Sequence, residues 1–406
     1  MLKGNVQITE TENVIMLYIA VLITRIGYGL LIITFPAYIH YASGKVVGTS
    51  LALYPIFEAI SATFIGSYSD RKGRKNVFLI GLLSSGIFMS LISITTNIYI
   101  ISFMHALMGI SASAVTVSTL TMLTDLTVIE NRGTGMGAFD FFNIIGYALG
   151  ILLSSWLISI FYHKLHYVFL VAGTLFFATT MLSLFLKEPH HKFSEHFHAN
   201  PFTALDKNAK SMLPLWFAVT FLLGIVFFSP KALATFGIRP SETGILLFIG
   251  AIMLGIGSVF FGMLSDRIGR EKTILIGTIG IIGVLGSLIY LIEKQKRISE
   301  NLLINIIEII RRDISFAIIA GISIFMMTAI VPSILAYTGD KAHIDRRGSA
   351  MGLYSTMLSI GVASGNLIAG FAFDLGGPSA IFRIAMIIFV IMSLLTVALK
   401  YLASSS

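Results

Sequence analysis

Four ionisable residues lie well within long apolar segments of the first half of this 406-residue chain, namely Arg25, Glu58, His105 and Asp140. A charged or titratable side chain inside a membrane is costly, so such residues usually mark substrate paths, proton relays or paired helices. Their types therefore predict binding of a charged solute or a proton, or structural pairing of two helices. Which of these applies depends on the segments that carry them.

Arg25 and Glu58 fall at matching depths of two neighbouring, antiparallel segments. Each lies about eleven residues, or ~16 Å at ~1.5 Å per residue, from the inner end of its segment, which is close to the middle of a bilayer. The two side chains could therefore form an ion pair. Two interpretations stay open: a structural pair that holds the two helices together, or a substrate or proton site that opens and closes.

The composition indicates that most of the chain is embedded in lipid. Hydrophobic residues make up 56% of it and charged residues only 12%, whereas a soluble domain carries about 25% charged residues. About 20 apolar residues span a bilayer, and a lone span must be a helix because its backbone groups have no other partners. Twelve segments qualify: 14–38, 47–69, 76–96, 98–122, 134–160, 165–186, 213–236, 243–264, 273–292, 314–336, 348–373 and 379–402.

The basic residues indicate orientation rather than nucleic-acid binding, despite a net charge of +8. Lys and Arg concentrate in the loops that are cytoplasmic if both termini are cytoplasmic. The main exception is 293–313, where polar residues at helical spacing in 299–313 predict an amphipathic helix on the outer face. An extension of the tenth span is the alternative. Cysteine is absent, so disulfides and Cys-based metal sites are excluded.

Two sequence patterns occur once in each half of the chain. The loop Gly66–Lys75 recurs as Gly262–Glu271, and in both copies it joins two apolar segments. The stretch Asn131–Gly137 after span 4 has a counterpart in Arg346–Gly352 after span 10. Such duplication predicts two parallel halves related by an axis along the membrane normal. The expected domains are 1–186, a cytoplasmic linker 187–212 and 213–406.

These features together resemble the major facilitator superfamily over nearly the whole chain. The resemblance rests on the twelve spans, the six-plus-six division and the Gly-x-x-x-Asp-Arg-x-Gly-Arg-Lys loop of Gly66–Lys75. It implies an all-α membrane protein with twelve transmembrane helices in two pseudo-symmetric six-helix bundles. It also implies a secondary transporter that works by alternating access, and not an enzyme. No nucleotide-binding Gly-x-x-x-x-Gly-Lys-Ser/Thr loop occurs, so ATP is not expected to power the protein. No metal or cofactor is expected either.

By the same resemblance, the inner loops form a cytoplasmic gate. Asp70 and Arg74 would pair with Asp125, and Asp70 would also face the start of span 11, where free N–H groups favour an anion. Gly66 and Gly73 would permit close backbone approach. Solvated loop charges that only set topology are the alternative. The full set of gate candidates is Gly66, Asp70, Arg71, Gly73, Arg74, Asp125, Arg132, Asp266, Arg267, Arg270, Asp340 and Arg347.

The resemblance also bears on the intramembrane candidates. His105 stands where the family often has an arginine, so it could couple transport to protons; a neutral histidine in the core is the alternative. Asp140 lies about two turns from the inner end of its span. It is interpreted as a residue that supports the gate or the helix packing, and proton coupling is the less favoured role. Drug exporters of this family often carry Gly-Pro-x-x-Gly-Gly in span 5, and the matching stretch Gly146–Ile151 has no proline.

The sequence therefore predicts a monomeric, multi-pass cell-membrane transporter for a small organic solute. Coupling to protons is expected, and Arg25 with a protonated His105 slightly favours an anionic substrate. A proton antiporter for multiple amphipathic drugs is the close alternative. A transporter-like receptor that binds solute without moving it is the alternative from another class. Beyond substrate, protons and membrane lipid, no partner is expected, and nucleic acid is excluded.

Overall fold

The computed structural model describes residues 2–126, 132–161, 164–188, 210–294, 313–341 and 347–405. Side chains at some further positions within the helices are not described. The predicted outer helix 299–313 falls outside the described residues except for its last position, and most of the predicted linker, with its histidines, lies outside them as well.

The regular elements of the described chain are helices, in agreement with the predicted all-α class. Six precede the linker and six follow it. They are α1 (Leu2–Tyr38), α2 (Gly44–Lys72), α3 (Arg74–Ser93), α4 (Ile98–Leu126), α5 (Arg132–Ile160), α6 (His166–Ser183), α7 (Leu213–Ala234), α8 (Pro240–Ile268), α9 (Arg270–Lys294), α10 (Ile314–Met327), α11 (Ile330–Lys341) and α12 (Arg347–Ser405).

Ten stretches of the described helices are long and apolar enough to cross a membrane. One of them, Thr356–Ala403, covers two predicted spans, because α12 contains non-helical backbone at Gly376 and Gly377. Gly377 has φ of 65°, and Pro378 follows it, so the helix is interrupted where spans 11 and 12 were expected to separate. α2, with 29 residues, accounts for the remaining predicted span. The arrangement is that of twelve transmembrane helices.

The tenth predicted span differs from its prediction because it consists of two helices. α10 ends at Met327 and α11 begins at Ile330. The break lies beside a groove in α9, where a Cβ added at Gly277 would meet the Ile330 nitrogen at 2.7 Å and one at Gly280 would meet the Met326 Cβ at 2.8 Å. Gly283 in the same groove faces Ser323, whereas Gly286 has only Met386 Cε at 3.9 Å. Gly277, Gly280 and Gly283 therefore let α10 and α11 pack closely against α9.

The helices group into two compact units. One contains Met1–Ile39 and Leu53–Phe197, and the other contains His40–Ala52 and His198–Ser406. The first turns of α2 thus belong to the second unit, while the rest of α2 belongs to the first. This grouping was not anticipated from the sequence, which placed the whole of α2 with the first six helices.

Glycines create the same close helix pairing in each unit. In the first, a Cβ at Gly29 of α1 would lie 2.9 Å from the Gly150 Cα of α5. In the second, a Cβ at Gly224 of α7 would lie 2.9 Å from the Gly365 Cα of α12. Backbones that approach this closely leave no room for a side chain. Gly150 belongs to Gly146-x-x-x-Gly150 and Gly365 to Gly361-x-x-x-Gly365, a spacing of small residues that lets helices pack closely.

Candidate functional site

A polar cluster lies in the middle of the first unit. Arg25 is the central residue of the apolar stretch Glu12–Tyr38, with thirteen residues on either side. Glu58 is likewise the central residue of α2, with fourteen residues on either side between Gly44 and Lys72. Tyr147 is one residue from the centre of α5 (Arg132–Ile160). Three helices therefore contribute polar side chains at about half their length.

Arg25 is almost fully buried, with 7% of its surface exposed, and its guanidinium has partners on two other helices. Nη1 donates to the Tyr147 hydroxyl at 3.3 Å, and Nη2 donates to Thr116 Oγ1 on α4 at 3.1 Å. The guanidinium carbon also lies 5.5 Å from the Tyr147 ring centroid and 5.8 Å from that of Tyr28. A buried cation requires such compensation, because leaving water costs it several kcal/mol.

Glu58 supplies negative charge to the same cluster. It interacts electrostatically with Arg25 and also with the hydroxyl groups of Tyr28 and Tyr54. The charges of Arg25 and Glu58 therefore act on each other, and the ion pair that their matching depths allow stays a prediction.

His105 lies in an aromatic part of the same unit. Only 6% of it is exposed, and its ring stacks on Phe35 with centroids 4.0 Å apart. The Tyr54 ring is 5.3 Å from His105 on another side, and Tyr54 in turn lies 6.0 Å from the Tyr28 ring. A chain of rings therefore connects His105 with the surroundings of Arg25. The side chain of Asp140 lies outside the described residues.

Four members of this cluster were not identified from the sequence: Tyr28, Tyr54, Thr116 and Tyr147. Tyr28 could have been found, because it follows Arg25 by three residues and so lies on the same helix face. The other three come from α2, α4 and α5. Tyrosine and threonine are common in apolar helices of this composition, so only the packing of these helices shows which ones meet Arg25.

The first repeated loop forms a compact ionic site at one end of the first unit. Gly73 separates α2 from α3 with φ of 95°, a conformation that favours glycine. Arg74, the next residue, forms a salt bridge with Asp125 near the end of α4 and donates to the Thr121 carbonyl at 3.1 Å. Both charged side chains are mostly buried. The structure thus brings Arg74 and Asp125 together.

Glu188 also belongs to this ionic site, although the sequence gave no reason to select it. Its two carboxylate oxygens accept from the backbone N–H groups of Arg74 at 2.6 Å and Lys75 at 2.9 Å. A carboxylate at a helix N-terminus satisfies free donors and complements the helix dipole. The neighbouring Lys187 exchanges two backbone hydrogen bonds with the side chain of Asn13 in α1, at 3.0 and 2.9 Å. The chain after α6 is therefore held to α1 and α3.

The second copy of the loop repeats part of this geometry. Gly269 separates α8 from α9 with φ of 96°, and Arg270 forms a salt bridge with Asp266. Arg270 also donates to Ser265 Oγ at 2.6 Å, whereas Arg267 is exposed. Among the described residues, a Cβ at Gly66 would meet Val117 Cγ1 at 3.7 Å, so the close backbone approach expected there stays a prediction. Six of the predicted site residues have side chains outside the described residues, so their contacts stay predictions. Five are gate candidates, Asp70, Arg71, Arg132, Asp340 and Arg347, and one is the intramembrane candidate Asp140.

Comparison with known families agrees with this fold. The profile of the Major Facilitator Superfamily matches residues 17–292 and 225–405. The chain belongs to the Major Facilitator Superfamily. It is therefore a multi-pass membrane transporter and not an enzyme.

Curated relatives resemble the chain at low identity. It is 23% identical over 390 residues to Multidrug resistance protein 2 of Bacillus subtilis (strain 168), covering 91% of this chain and 90% of that protein. It is 26% identical over 290 residues to Multidrug resistance protein MdtG of Proteus mirabilis (strain HI4320), covering 66% of this chain and 71% of that protein.

Solved structures show the same fold. A POT family transporter in complex with 5-aminolevulinic acid has a TM-score of 0.73 at 12% identity and covers 96% of this chain and 97% of its own. An inward-facing, occupied bacterial homolog of the human lysosomal transporter Spinster has a TM-score of 0.71 at 15% identity, with 97% of both chains covered. At these identities the likeness concerns the fold alone.

Proposed function

We propose that this protein moves small amphipathic organic compounds across the cell membrane by alternating access, in exchange for protons. The observation that carries the proposal is the central cluster of the first unit. It places a fixed cation, Arg25, and a titratable carboxylate, Glu58, in one electrostatic environment among tyrosine rings. This combination provides both a proton acceptor and an aromatic surface.

The amphipathic class is supported over an anionic substrate by the partners of Arg25. Its guanidinium donates to Tyr147 and Thr116 and faces the charge of Glu58. An anion would have to compete with these groups for the guanidinium. The partners of Arg25 therefore weigh against the anionic solute that the sequence slightly favoured. The names of the curated relatives, which are multidrug resistance proteins, also favour amphipathic compounds.

Glu58 is proposed to carry the coupling proton. When it is ionised, its charge helps to stabilise the buried Arg25; when it is protonated, Arg25 loses that stabilisation and favours a different arrangement of the helices around it. Protonation of one residue can in this way shift the balance between two conformations. His105 is the less favoured coupling residue, because its ring is stacked on Phe35 inside the aromatic core.

The ionic sites at the repeated loops are proposed to be the cytoplasmic gate. The buried pair of Arg74 and Asp125 would stabilise one conformation, and the pair of Asp266 and Arg270 would act in the second half. We retain Asp70, Arg71, Arg132, Arg267, Asp340 and Arg347 as proposed members of the gate. Cytoplasmic termini, a monomeric state and the domain limits 1–186 and 213–406 are likewise proposals.

Transport in proteoliposomes tests this function. Purified protein would be assayed with ethidium as an amphipathic cation and fluorescein as an organic anion, with and without an imposed pH gradient. We expect gradient-driven movement of ethidium by the unmodified protein. In Glu58→Gln, gradient-driven movement should be lost while exchange of labelled for unlabelled ethidium continues, because only the proton step is removed.

Glu293→Gln is the matched control, since Glu293 is an exposed carboxylate that pairs with Arg383 at the surface. It should transport like the unmodified protein. Gradient-driven transport by Glu58→Gln at the unmodified rate would contradict the coupling role. Fluorescein as the preferred substrate would support the anionic alternative. Binding without exchange of any labelled compound would support the receptor alternative.

A further inference from the structure

The connection between α1 and α2 is held by two charged side chains of opposite sign. It comprises residues 39–43; Lys231 of α7 contacts carbonyl groups within it, and Asp374 of α12 contacts the first residues of α2, which follow it. His40–Ala52, Lys231 and Asp374 all belong to the second compact unit. We name this set of contacts the α1–α2 clasp.

Asp374 binds the first turn of α2. Its Oδ1 accepts from the Gly44 N–H at 2.7 Å and its Oδ2 accepts from the Lys45 N–H at 2.9 Å. These N–H groups have no partner within α2, and the helix dipole favours negative charge at this end. A Cβ at Gly44 would lie 2.8 Å from the Gly370 carbonyl oxygen, so the absence of a side chain allows α12 to come this close.

Lys231 binds the carbonyl groups of the same connection. Its Nζ donates to the carbonyl oxygens of His40 and Ala42, the latter at 3.0 Å. Nζ also lies 5.8 Å from the centroid of the Phe373 ring, next to Asp374. The carbonyl groups after α1 attract a cation for the same reason that the N–H groups of α2 attract an anion. Each charge therefore stabilises the end of the connection that has the opposite partial charge.

α2 passes from one compact unit to the other shortly after the clasp. Residues up to Ala52 belong to the second unit and residues from Leu53 belong to the first. Pro55 lies inside the helix just past this limit. Proline removes a backbone hydrogen bond and weakens a helix locally. α2 is therefore held at its first turn by the clasp and is most easily bent about three turns later.

We propose that Lys231 and Asp374 form a latch that holds the α1–α2 connection in the present conformation and releases it during the transport cycle. The proposal rests on the alternating access of the proposed function, since a transporter that changes conformation needs contacts that form in one state and break in another. Charge-assisted hydrogen bonds to the backbone groups at helix ends suit this role, because water can take their place when the helices separate.

The absence of native cysteine allows a direct test with a single introduced thiol. Val47 is fully buried and follows Gly44 by three residues, so it lies on the helix face that the clasp holds. Alkylation of Val47→Cys by a maleimide, in purified protein in detergent, therefore reports how often the clasp opens. Ser43→Cys, at an exposed position of the connection, gives the rate for a freely accessible thiol.

The latch would be weakened by Asp374→Asn or, independently, by Lys231→Met in the Val47→Cys protein. Either change should accelerate alkylation about tenfold, as expected for loss of a charge-assisted bond. Arg383→Gln is the matched control, because Arg383 and Glu293 form an exposed pair of the same unit that does not touch the connection. It should leave the rate within about twofold of its starting value.

Three results would overturn the latch. One is an unchanged alkylation rate in Asp374→Asn or Lys231→Met, for a variant that melts at the same temperature as the Val47→Cys protein. Another is alkylation of Val47→Cys as fast as that of Ser43→Cys before any further change. The third is an equal acceleration by Arg383→Gln. Alkylation requires no substrate, so it can support the latch even if transport of ethidium fails, and transport can be normal even if the latch is refuted.

Discussion

Replacement of Gly146 by alanine should disturb both the packing of α1 against α5 and the position of Arg25. A Cβ at Gly146 would lie 2.6 Å from the Arg25 Cβ and 2.9 Å from the Leu22 carbonyl oxygen. The first distance is 0.8 Å shorter than the 3.4 Å at which ordinary contact begins. Backbone on both helices blocks relaxation, so α1 and α5 must separate. The hydrogen bond from Arg25 to Tyr147 is already 3.3 Å long and would not survive a shift of that size.

Three contributions set the expected magnitude. Overpacking costs about 1–3 kcal/mol, and the lost hydrogen bond of a charged group costs about 1.5–3 kcal/mol. Alanine is better than glycine within a helix by about 1 kcal/mol, which offsets part of this. The net destabilisation is about 2–5 kcal/mol, which for a chain of 406 residues corresponds to a lowering of the melting temperature by roughly 2–6 °C.

The assay is thermal unfolding of the purified protein in detergent, followed by transport of ethidium. Gly255→Ala is the matched control, since a Cβ at Gly255 in α8 meets nothing within 4 Å. It should leave the melting temperature unchanged or raise it slightly. Tyr147→Phe isolates the site effect, because it removes the hydrogen bond without adding volume beside Arg25. A Gly146→Ala protein that melts with the control and transports normally would refute the steric argument.

Three further predictions follow from the described contacts. Glu188→Gln should lower the melting temperature by the equivalent of about 1 kcal/mol, since it removes the charge that binds the N-terminus of α3; an unchanged value would contradict that role. Asp125→Asn should slow transport and destabilise more than Asp266→Asn, because Asp125 is 19% exposed in its salt bridge and Asp266 is 65% exposed; side-by-side uptake and melting measurements check the order. Gly365→Ala should destabilise where Gly321→Ala does not, since only the first would place a Cβ against backbone, at 3.0 Å from the Gly224 Cα; equal melting temperatures would count against close packing of α7 and α12.

The fold was predictable largely because the bilayer imposes a simple rule. Apolar length and unpaired backbone groups restrict each span to a helix, so most helices could be located within a few residues. The break between α10 and α11 has a local signal that the sequence analysis did not use, because Pro332 cannot donate a backbone hydrogen bond to Thr328, at the break. Only the tertiary structure shows that this break lies against the α9 groove of Gly277 and Gly280.

The candidate site was predictable only in part. Counting residues along two antiparallel helices places Arg25 and Glu58 at one depth, and their charges do act on each other, although the ion pair stays a prediction. No such count selects Thr116 or Tyr147, since many similar residues lie at similar depths. At the loop, the repeated motif identified Arg74, but Glu188 lies more than a hundred residues away along the chain.

Sequence alone determined the helical class, the duplication, the membership of the cluster by its charged residues and the glycines at Gly73 and Gly269, because hydropathy, charge and backbone conformation act over a few residues. Tertiary structure alone decided which neutral side chains surround Arg25, that the carboxylate of Glu188 binds α3, and that Lys231 and Asp374 meet the α1–α2 connection. These contacts depend on how the faces of helices distant in the chain pack, and a pattern over a few residues does not determine that packing.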